Sequence, residues 1–497
     1  MSGTVTFNII PPSLRNPGVF FEIDASNANT IQGLNQRALI VGQMTADGTA
    51  APGVAILMTS LSDARTSCGV GSQLAIMAET YRKADPYGTT YLLPLTDNDA
   101  GVATSVAATV AGTASESGTL ALYVTGELVS VGVHAGDDAA KVATSIAAAV
   151  NRLTTLPVTA SAAAEVVTMT ARNAGVSAGD CDVRLNYYGP ANSEFTPAGI
   201  DVTFVATHGT GDPDPDDVQA ALATIPDDFA YNFIVYPYNT AGMLKVIEDF
   251  LSDVSGTWSY AKQTWGGAFS AFRGTAAQAT TYGLSNNNQH VTILPFYDSP
   301  TSLSQVVADY AGTCSRSLRA DPALPLQNIA LMTMKAPPVP SRYDFSERNT
   351  LLWSGMSTFR VNPDGTPILE RSVTTYQVNA EGIPDNSYLD TETGYTLSWL
   401  INDLRSDLST KFARKKLVAD GTRIPYGVNF VTAQVVKGEV IANYRVNASR
   451  GLCQSPDKFA QDCVAENQGN GRVAIMAPYM LANQLRQIYV LVAFTKP

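Results

Sequence analysis

Alternating apolar and polar residues mark both ends of the chain as β-strands. Near the N-terminus, Val5, Phe7 and Ile9 alternate with polar residues, and this period of two is typical of a strand. Two consecutive prolines follow and exclude a tight hairpin, so the strand either adds to a sheet on another molecule or joins a sheet of its own chain. Near the C-terminus, residues 487–494 are almost wholly apolar, which indicates a strand buried on both faces. The apolar positions of the two terminal strands are Val5, Phe7, Ile9, Ile488, Val490, Val492 and Phe494.

Between these ends, short apolar runs alternate with segments of helical periodicity. The predicted helices cover 72–83, 241–254 and 302–318, and the predicted strands cover 37–41, 89–93, 231–236 and 290–296. This strand–helix–strand order predicts an α/β layer.

The composition changes near residue 102, where Ala, Val, Thr, Ser and Gly become frequent and Lys becomes rare. The predicted elements are strands over 118–124, 128–134 and 166–171 and a helix over 137–153 that Asp137 or Asp138 caps. The α/β pattern resumes after an acidic linker, residues 209–217, in which Asp216 or Asp217 is expected to cap a further helix. A β-rich domain is therefore predicted to be inserted into an α/β domain.

The last quarter contains the clearest helical pattern, over residues 393–418. Its apolar stripe is Leu397, Leu400, Ile401, Leu404, Leu408 and Phe412, and the basic residues in its last turns are Lys411, Arg414, Lys415 and Lys416. Two strands, over 429–435 and 440–446, are predicted to follow as a hairpin with a short loop. The apolar positions of this hairpin are Phe430, Val435, Val440 and Val446.

The fold class predicted from these patterns is α/β and α+β, with several domains. The predicted parts are an N-terminal arm (1–28), a discontinuous α/β core domain (29–101 and 206–380), an inserted β-rich outer domain (102–205), a C-terminal α+β domain (381–484) and a C-terminal strand arm (485–497).

Composition and charge narrow the range of functions. The chain of 497 residues is 45% hydrophobic and 15% charged, which is enough to form several cores, and it has no apolar run long enough to span a membrane. Its N-terminus lacks the pattern of a secretory signal. Its five cysteines include no C-x-x-C motif, and this predicts folding in a reducing compartment, with Cys453 and Cys463 not joined by a disulfide.

The net charge of −12 argues against nucleic acid as the main partner. The charge is unevenly distributed, because residues 393–497 carry 13 Lys and Arg against 7 Asp and Glu. A basic C-terminal quarter on an acidic body indicates either an acidic local partner or ordinary scatter of surface charge.

Residues for catalysis or cofactor binding are not apparent. The three histidines, His134, His208 and His290, lie at no metal-ligand spacing, and hydrolase, metalloprotease and phosphate-loop motifs are missing from the sequence. We therefore assign no catalytic, cofactor-binding or metal residue and expect that the protein is not an enzyme. The alternative is an α/β enzyme with a β-rich accessory domain. Its catalytic site would be a Ser–His–Asp site that contains His290.

Several stretches resemble the tail sheath proteins of contractile bacteriophages, most closely those of Mu-like phages. The stretch 16–22, Asn-Pro-Gly-Val-Phe-Phe-Glu, is similar to the opening motif of the family. The first predicted core strand and the Cys-Gly-Val-Gly-Ser turn at 68–72 also resemble the family pattern. The most specific likeness runs over 347–376 and includes Asn-Pro-Asp-Gly at 362–365.

The resemblance implies a structural subunit that forms stacked hexameric rings around a tail tube and contracts to drive the tube through the host envelope during genome delivery. Terminal arms would add strands to the C-terminal domains of neighbouring subunits and complete their sheets. The implied partners are other copies of the chain, the tube protein, the baseplate and the tail terminator, with no direct nucleic-acid contact and no membrane insertion. The implied location is the virion tail, after assembly in the host cytoplasm.

The resemblance also bears on the basic turn at Lys411, Arg414, Lys415 and Lys416, which we expect to contact an acidic tube surface. Two further alternatives remain open at this point. One is the sheath of a tailocin or prophage-derived injection device, and the other is a different tail or baseplate component.

Overall fold

A computed structural model of the chain describes residues 36–423 and 429–496. The strands are β1 (Arg37–Gln43), β2 (Ile56–Leu57), β3 (Thr89–Leu95), β4 (Ser105–Gly112), β5 (Gly118–Val124), β6 (Glu127–Val133), β7 (Val158–Ala163), β8 (Val166–Ala171), β9 (Val183–Leu185), β10 (Ile200–Thr207), β11 (Phe233–Val235), β12 (Gly267–Arg273), β13 (Val291–Phe296), β14 (Ile329–Ala330), β15 (Thr358–Val361), β16 (Pro367–Arg371), β17 (Lys416–Leu417), β18 (Phe430–Val431), β19 (Val464–Gly469) and β20 (Arg472–Met476). The α-helices are α1 (Leu61–Cys68), α2 (Gln73–Ala84), α3 (Ala139–Arg152), α4 (Pro215–Ala223), α5 (Ala241–Leu251), α6 (Ala276–Leu284), α7 (Leu303–Ala320), α8 (Phe345–Trp353), α9 (Thr391–Phe412), α10 (Ala433–Ser449) and α11 (Pro456–Asp462).

A six-stranded sheet forms the centre of the α/β part, in the order β13-β12-β11-β1-β3-β2, and only β2 runs antiparallel to its neighbour. Alternate residues of β1 enter different cores. Ala38 and Ile40 pack with α2 and α7, whereas Leu39 and Val41 pack with α4 and α5. Helices therefore cover both faces, which explains why these strands read as continuous apolar runs.

The ends of the helices follow local chemistry. Ser302 and Gln305 form a reciprocal capping box at the start of α7, and Asp138 caps α3 as predicted. The cap expected at Asp216 or Asp217 is wrong, since Asp214 caps α4 and a proline occupies the first helical position. Gly312 in α7 lies so close to Tyr81 O and the Ala84 methyl that a Cβ would clash, so α2 and α7 pack tightly there.

The chain leaves the parallel sheet after β3 and returns to it with β11. The intervening strands form two antiparallel sheets, β10-β4-β8-β7 and β6-β5-β9. Together with α3 they enclose a separate hydrophobic cluster that includes Val110, Leu122, Ile146 and Met169. Strands β5 and β8 begin and end at the predicted residues, and the predicted helix over 137–153 is confirmed as α3.

Helix α9 connects the α/β part to the C-terminal region. Its first half is buried, and Tyr395 stacks on Phe233 of β11 with ring centroids 5.2 Å apart. Its second half meets α10, where the Asn443 and Asn447 side-chain amides donate to Asp403 at 2.8 Å. The helix predicted over 393–418 ends at Phe412, and β17 follows.

The hairpin predicted over 429–446 is wrong. Phe430 lies in the two-residue strand β18, but Val435, Val440 and Val446 lie in helix α10. Thr432 caps this helix by accepting a hydrogen bond from Val435 N. The buried side chains recur at helical spacing: Ala433, Val436, Val440, Asn443, Tyr444 and Asn447. Tertiary packing has overridden the strand preference of the valines.

Candidate assembly interface

The C-terminal apolar run is exposed within the described residues. Residues 482–496 form no helix or strand within the described chain. Ile488, Val490, Val492 and Phe494 are exposed by 75%, 75%, 78% and 82% of their surfaces, and Leu491 between them by 95%. An apolar segment of this length in water is typical of a surface that another molecule covers. The other predicted arm, with Val5, Phe7 and Ile9, lies outside the described residues.

Arg486, which precedes this run, is held by ion pairs. The Arg486 side chain is only 13% exposed, and its Nη2 donates to Glu392 Oε1 at 2.7 Å and to Asp390 Oδ1 at 3.1 Å. Burial raises the pKa of the Glu392 carboxyl, and the Arg486 charge opposes that shift. Sequence reasoning missed this contact, although Arg486 is the single charged residue in the stretch 473–495.

A hairpin is present later in the chain than predicted. Strands β19 and β20 form a two-stranded antiparallel sheet, whereas the segment predicted as a hairpin contains helix α10. Val464 pairs with Met476, and these end residues are 53% and 56% exposed. Among the described strands, β19 and β20 pair only with each other, so both have an open edge. Asn470 and Gly471 have positive φ in the turn, and this Asn-Gly pair was the signal that could have located the hairpin.

The basic turn after α9 is exposed and only partly neutralised. Lys411 donates to Glu439 and lies 3.7 Å from Asp407, and the hydrogen bond to Glu439 raises the pKa of Lys411. Lys415 meets the neutral side chain of Asn429 at 3.2 Å, and the Lys416 ammonium lies 5.7 Å from the centre of the Phe430 ring. Arg414 has no salt bridge within the described residues.

His290, the residue considered for catalysis, makes structural contacts. His290 Nε2 lies 2.9 Å from Asp253 Oδ1, and its ring stacks on Trp258 at 4.3 Å. No hydroxyl is hydrogen-bonded to this ring in residues 36–423 and 429–496. Among these residues, no group of His, Cys, Asp and Glu is arranged to hold a metal ion, and no helix is long and apolar enough to cross a membrane.

The cysteines are buried thiols in most cases. All five are free, and Cys453 and Cys463 are buried. Burial raises the pKa of Cys453 to about 11 and that of Cys181 to about 12, so these thiols are protonated at neutral pH.

Comparisons with known proteins agree on one family. Residues 211–375 match the family described as phage tail sheath protein central domain, and residues 384–495 match the phage tail sheath C-terminal domain. The chain is 32% identical over 489 residues to the Mu-like prophage FluMu tail sheath protein of Haemophilus influenzae, with 97% of this chain and 98% of that protein covered.

Two solved structures are similar at lower identity. A sheath tail protein from Listeria innocua is 12% identical with a TM-score of 0.48, covering 90% of this chain and 92% of that one. The helical sheath of the anti-feeding prophage in its contracted state is 12% identical with a TM-score of 0.43, covering 97% of this chain and 100% of that one.

Proposed function

The chain belongs to the phage tail sheath protein family, and from this premise we propose that its terminal segments link copies into stacked hexameric rings around a tail tube. Contraction of this sheath drives the tube through the host envelope during genome delivery. The observation that supports the proposal is the apolar run at 488–494, whose side chains are exposed within the described part of the chain. Burial of one large apolar side chain stabilises a contact by roughly 1.5–3 kcal/mol, so covering several of them favours association strongly.

The open sheet of β19 and β20 supplies a place for this run. A two-stranded sheet is marginally stable alone, and a third strand from a neighbouring subunit stabilises it. Strand addition satisfies the backbone groups of the added segment, and alternate side chains then face the C-terminal region. In this proposal β19 and β20 take the acceptor role that sequence analysis gave to the hairpin over 429–446.

The other partners of the proposal are the tube, the baseplate and the tail terminator, and assembly takes place in the host cytoplasm. Arg414, Lys415 and Lys416 are the proposed tube contacts, because they are exposed and carry no carboxylate partner within the described residues. A head-to-tail contact that does not close produces an open helix, which is the geometry that a sheath requires.

The test is negative-stain electron microscopy of the full-length protein with two matched variants. We expect long hollow cylinders from the unchanged chain and single subunits from Val490→Asp, because a carboxylate cannot enter the covered strand face. Val254→Asp is the control, since Val254 is an equally accessible valine at 84% exposure in the core part. It should leave the cylinders intact. Compact single particles from the unchanged chain at every concentration and salt, or cylinders from Val490→Asp, would contradict the proposal.

A further inference from the structure

The C-terminal segment is attached to the body at two separate places. The first attachment is in the C-terminal region, where Ala482 N donates to Leu452 O at 3.1 Å and Gln454 Nε2 donates to Leu481 O at 3.0 Å. The second is Arg486, which reaches the start of α9. Beyond it, residues 487–496 are exposed. Arg486 is therefore the last largely covered side chain before the apolar run.

The acceptor groups at the second attachment are rigidly held. Glu392 is fully buried, and its Oε1 also accepts a hydrogen bond from Leu326 N at 2.5 Å. Asp390 also accepts from Arg371 Nε at 2.9 Å. Two carboxylates thus alternate with two guanidinium groups, and each carboxylate has a second partner that fixes its position.

We propose that Arg486, Glu392 and Asp390 form a C-terminal clamp that sets the point at which the apolar run leaves the subunit. Arg486 is a positioning residue in this inference, which rests on the proposed function because the run it positions is the proposed linking strand. The clamp fixes the free length of the arm to the residues after 486. When it is open, residues 483–486 become part of the arm and add up to about 14 Å of reach.

The hydrogen bonding of the clamp favours a positioning role over a stabilising one. Arg486 Nε and Nη1 and Glu392 Oε2 are buried and have no partner within the described residues. A buried ion pair with unsatisfied groups contributes little net stability, because the loss of hydration offsets the attraction. Its geometric effect remains, since the paired state has one arrangement and the open state has many. Opening of the clamp leaves the fully buried Glu392 without its cation, which has a cost, so the paired state defines where the arm begins.

The clamp also links the C-terminal region to the α/β part. The segment between its attachments runs from the C-terminal region, at Leu452 and Gln454, to the core end of α9 at Glu392. A change in the angle between α9 and the C-terminal region changes the distance that residues 483–486 must span. Opening of the clamp would therefore accompany rearrangement of the subunit.

The test is limited proteolysis of the full-length chain with chymotrypsin, which can cleave after Leu485 when residues 483–487 are free to extend into the protease. Arg486→Gln should raise the rate of cleavage after Leu485 by about tenfold or more, while cleavage within the α/β part stays unchanged. Arg486→Lys should restore part of the protection, since an ammonium can still pair with Glu392. The control is Arg445→Gln, which removes a charge from an exposed pair with Asp457 and should change neither region.

Two results would overturn the clamp. One is an unchanged rate of cleavage after Leu485 in Arg486→Gln, and the other is faster cleavage throughout the chain, which indicates a general loss of stability. If the unchanged chain fails to form cylinders, the proposed function fails, yet the proteolysis experiment still decides on the clamp. If cylinders form, Arg486→Gln should give cylinders of irregular diameter. Regular cylinders from that variant would show that the point of departure of the arm is not set by Arg486.

Discussion

Arg319 near the end of α7 donates two hydrogen bonds to the fully buried carboxylate of Asp85, at 2.9 Å and 2.7 Å, and so joins α7 to the C-cap of α2. Gly88 N also donates to Asp85, at 3.2 Å, which fixes the turn into β3. The pair lies where two helices and a strand of the core meet.

Removal of one partner of this pair should be severe. Arg319→Met leaves the Asp85 carboxylate buried and unpaired, so we expect the free energy of unfolding to fall by about 3–5 kcal/mol. Chemical denaturation of the non-assembling Val490→Asp protein, with and without Arg319→Met, measures the difference. Arg445→Met, which breaks an exposed pair, should cost less than about 1 kcal/mol. Equal losses from the two substitutions would show that the buried pair contributes no more to the free energy of unfolding than the exposed pair does.

A second prediction separates the helix α10 from the hairpin that the sequence suggests. Val440 is fully buried in the helix and Val446 is 48% exposed. Val440→Ala should therefore lower the free energy of unfolding by about 1–2.5 kcal/mol and Val446→Ala by less than ~0.5 kcal/mol. In a strand, residues six apart face the same side, so a hairpin predicts similar losses at both positions. Denaturation midpoints of the two variants decide between the structures.

The contrast at these valines shows what the sequence could and could not predict. Strands β1, β3, β11 and β13 of the parallel sheet and strand β5 were predictable because each is a short apolar run between turn residues, and neighbours along the chain determine it. Strand β12 of the same sheet was missed. The segment 433–446 also reads as strands, because Val435, Val436, Val440 and Val446 have β-branched side chains. Its helical state depends on Asp403 of α9 and on Phe459 and Tyr479, which cluster with Tyr444. These partners lie outside the segment.

The proposed assembly surface was predictable in part for the same reason. The apolar run at 488–494 is visible in the sequence because it needs no partner to be recognised. The acidic partners of Arg486, by contrast, are 94 and 96 positions away and become its neighbours only in the fold.

A third prediction concerns pH. Because burial raises the pKa of Glu392 above its ordinary value of about 4.3, the folded chain binds a proton there more readily than the unfolded chain does. The contribution of Glu392 to the free energy of unfolding therefore decreases as pH rises from the ordinary pKa through the raised one. Glu392→Gln should remove this part of the slope and retain the acceptor oxygen for Leu326 N. Denaturation at a series of pH values measures it, and an unchanged slope would contradict the assignment.

A fourth prediction tests the basic turn. Reversal of Arg414 and Lys415 to Glu should prevent assembly on the tube and leave tube-free polymers intact, because the strand contacts are unaffected. Lys411 already pairs with Glu439, so its reversal would disturb the fold as well as the surface. The matched control reverses the exposed Arg445 and Lys458, which changes the net charge equally. Electron microscopy of tubes mixed with each protein gives the result, and unchanged decoration by the first variant would exclude the turn as the contact.

Helix α9 has a mechanical consequence. It contains 22 residues and is therefore roughly 33 Å long. Its first half is fixed in the core by Tyr395 and Trp399, and its second half carries the C-terminal region through Asp403. Such a rod works as a lever with its fulcrum near Trp399, about 20 Å from Phe412, and a rotation of roughly 10° there displaces the far end by about 3 Å. Small reorientations of the α/β body are thereby converted into movements as large as the rise of one strand residue at the surface where subunits would be joined.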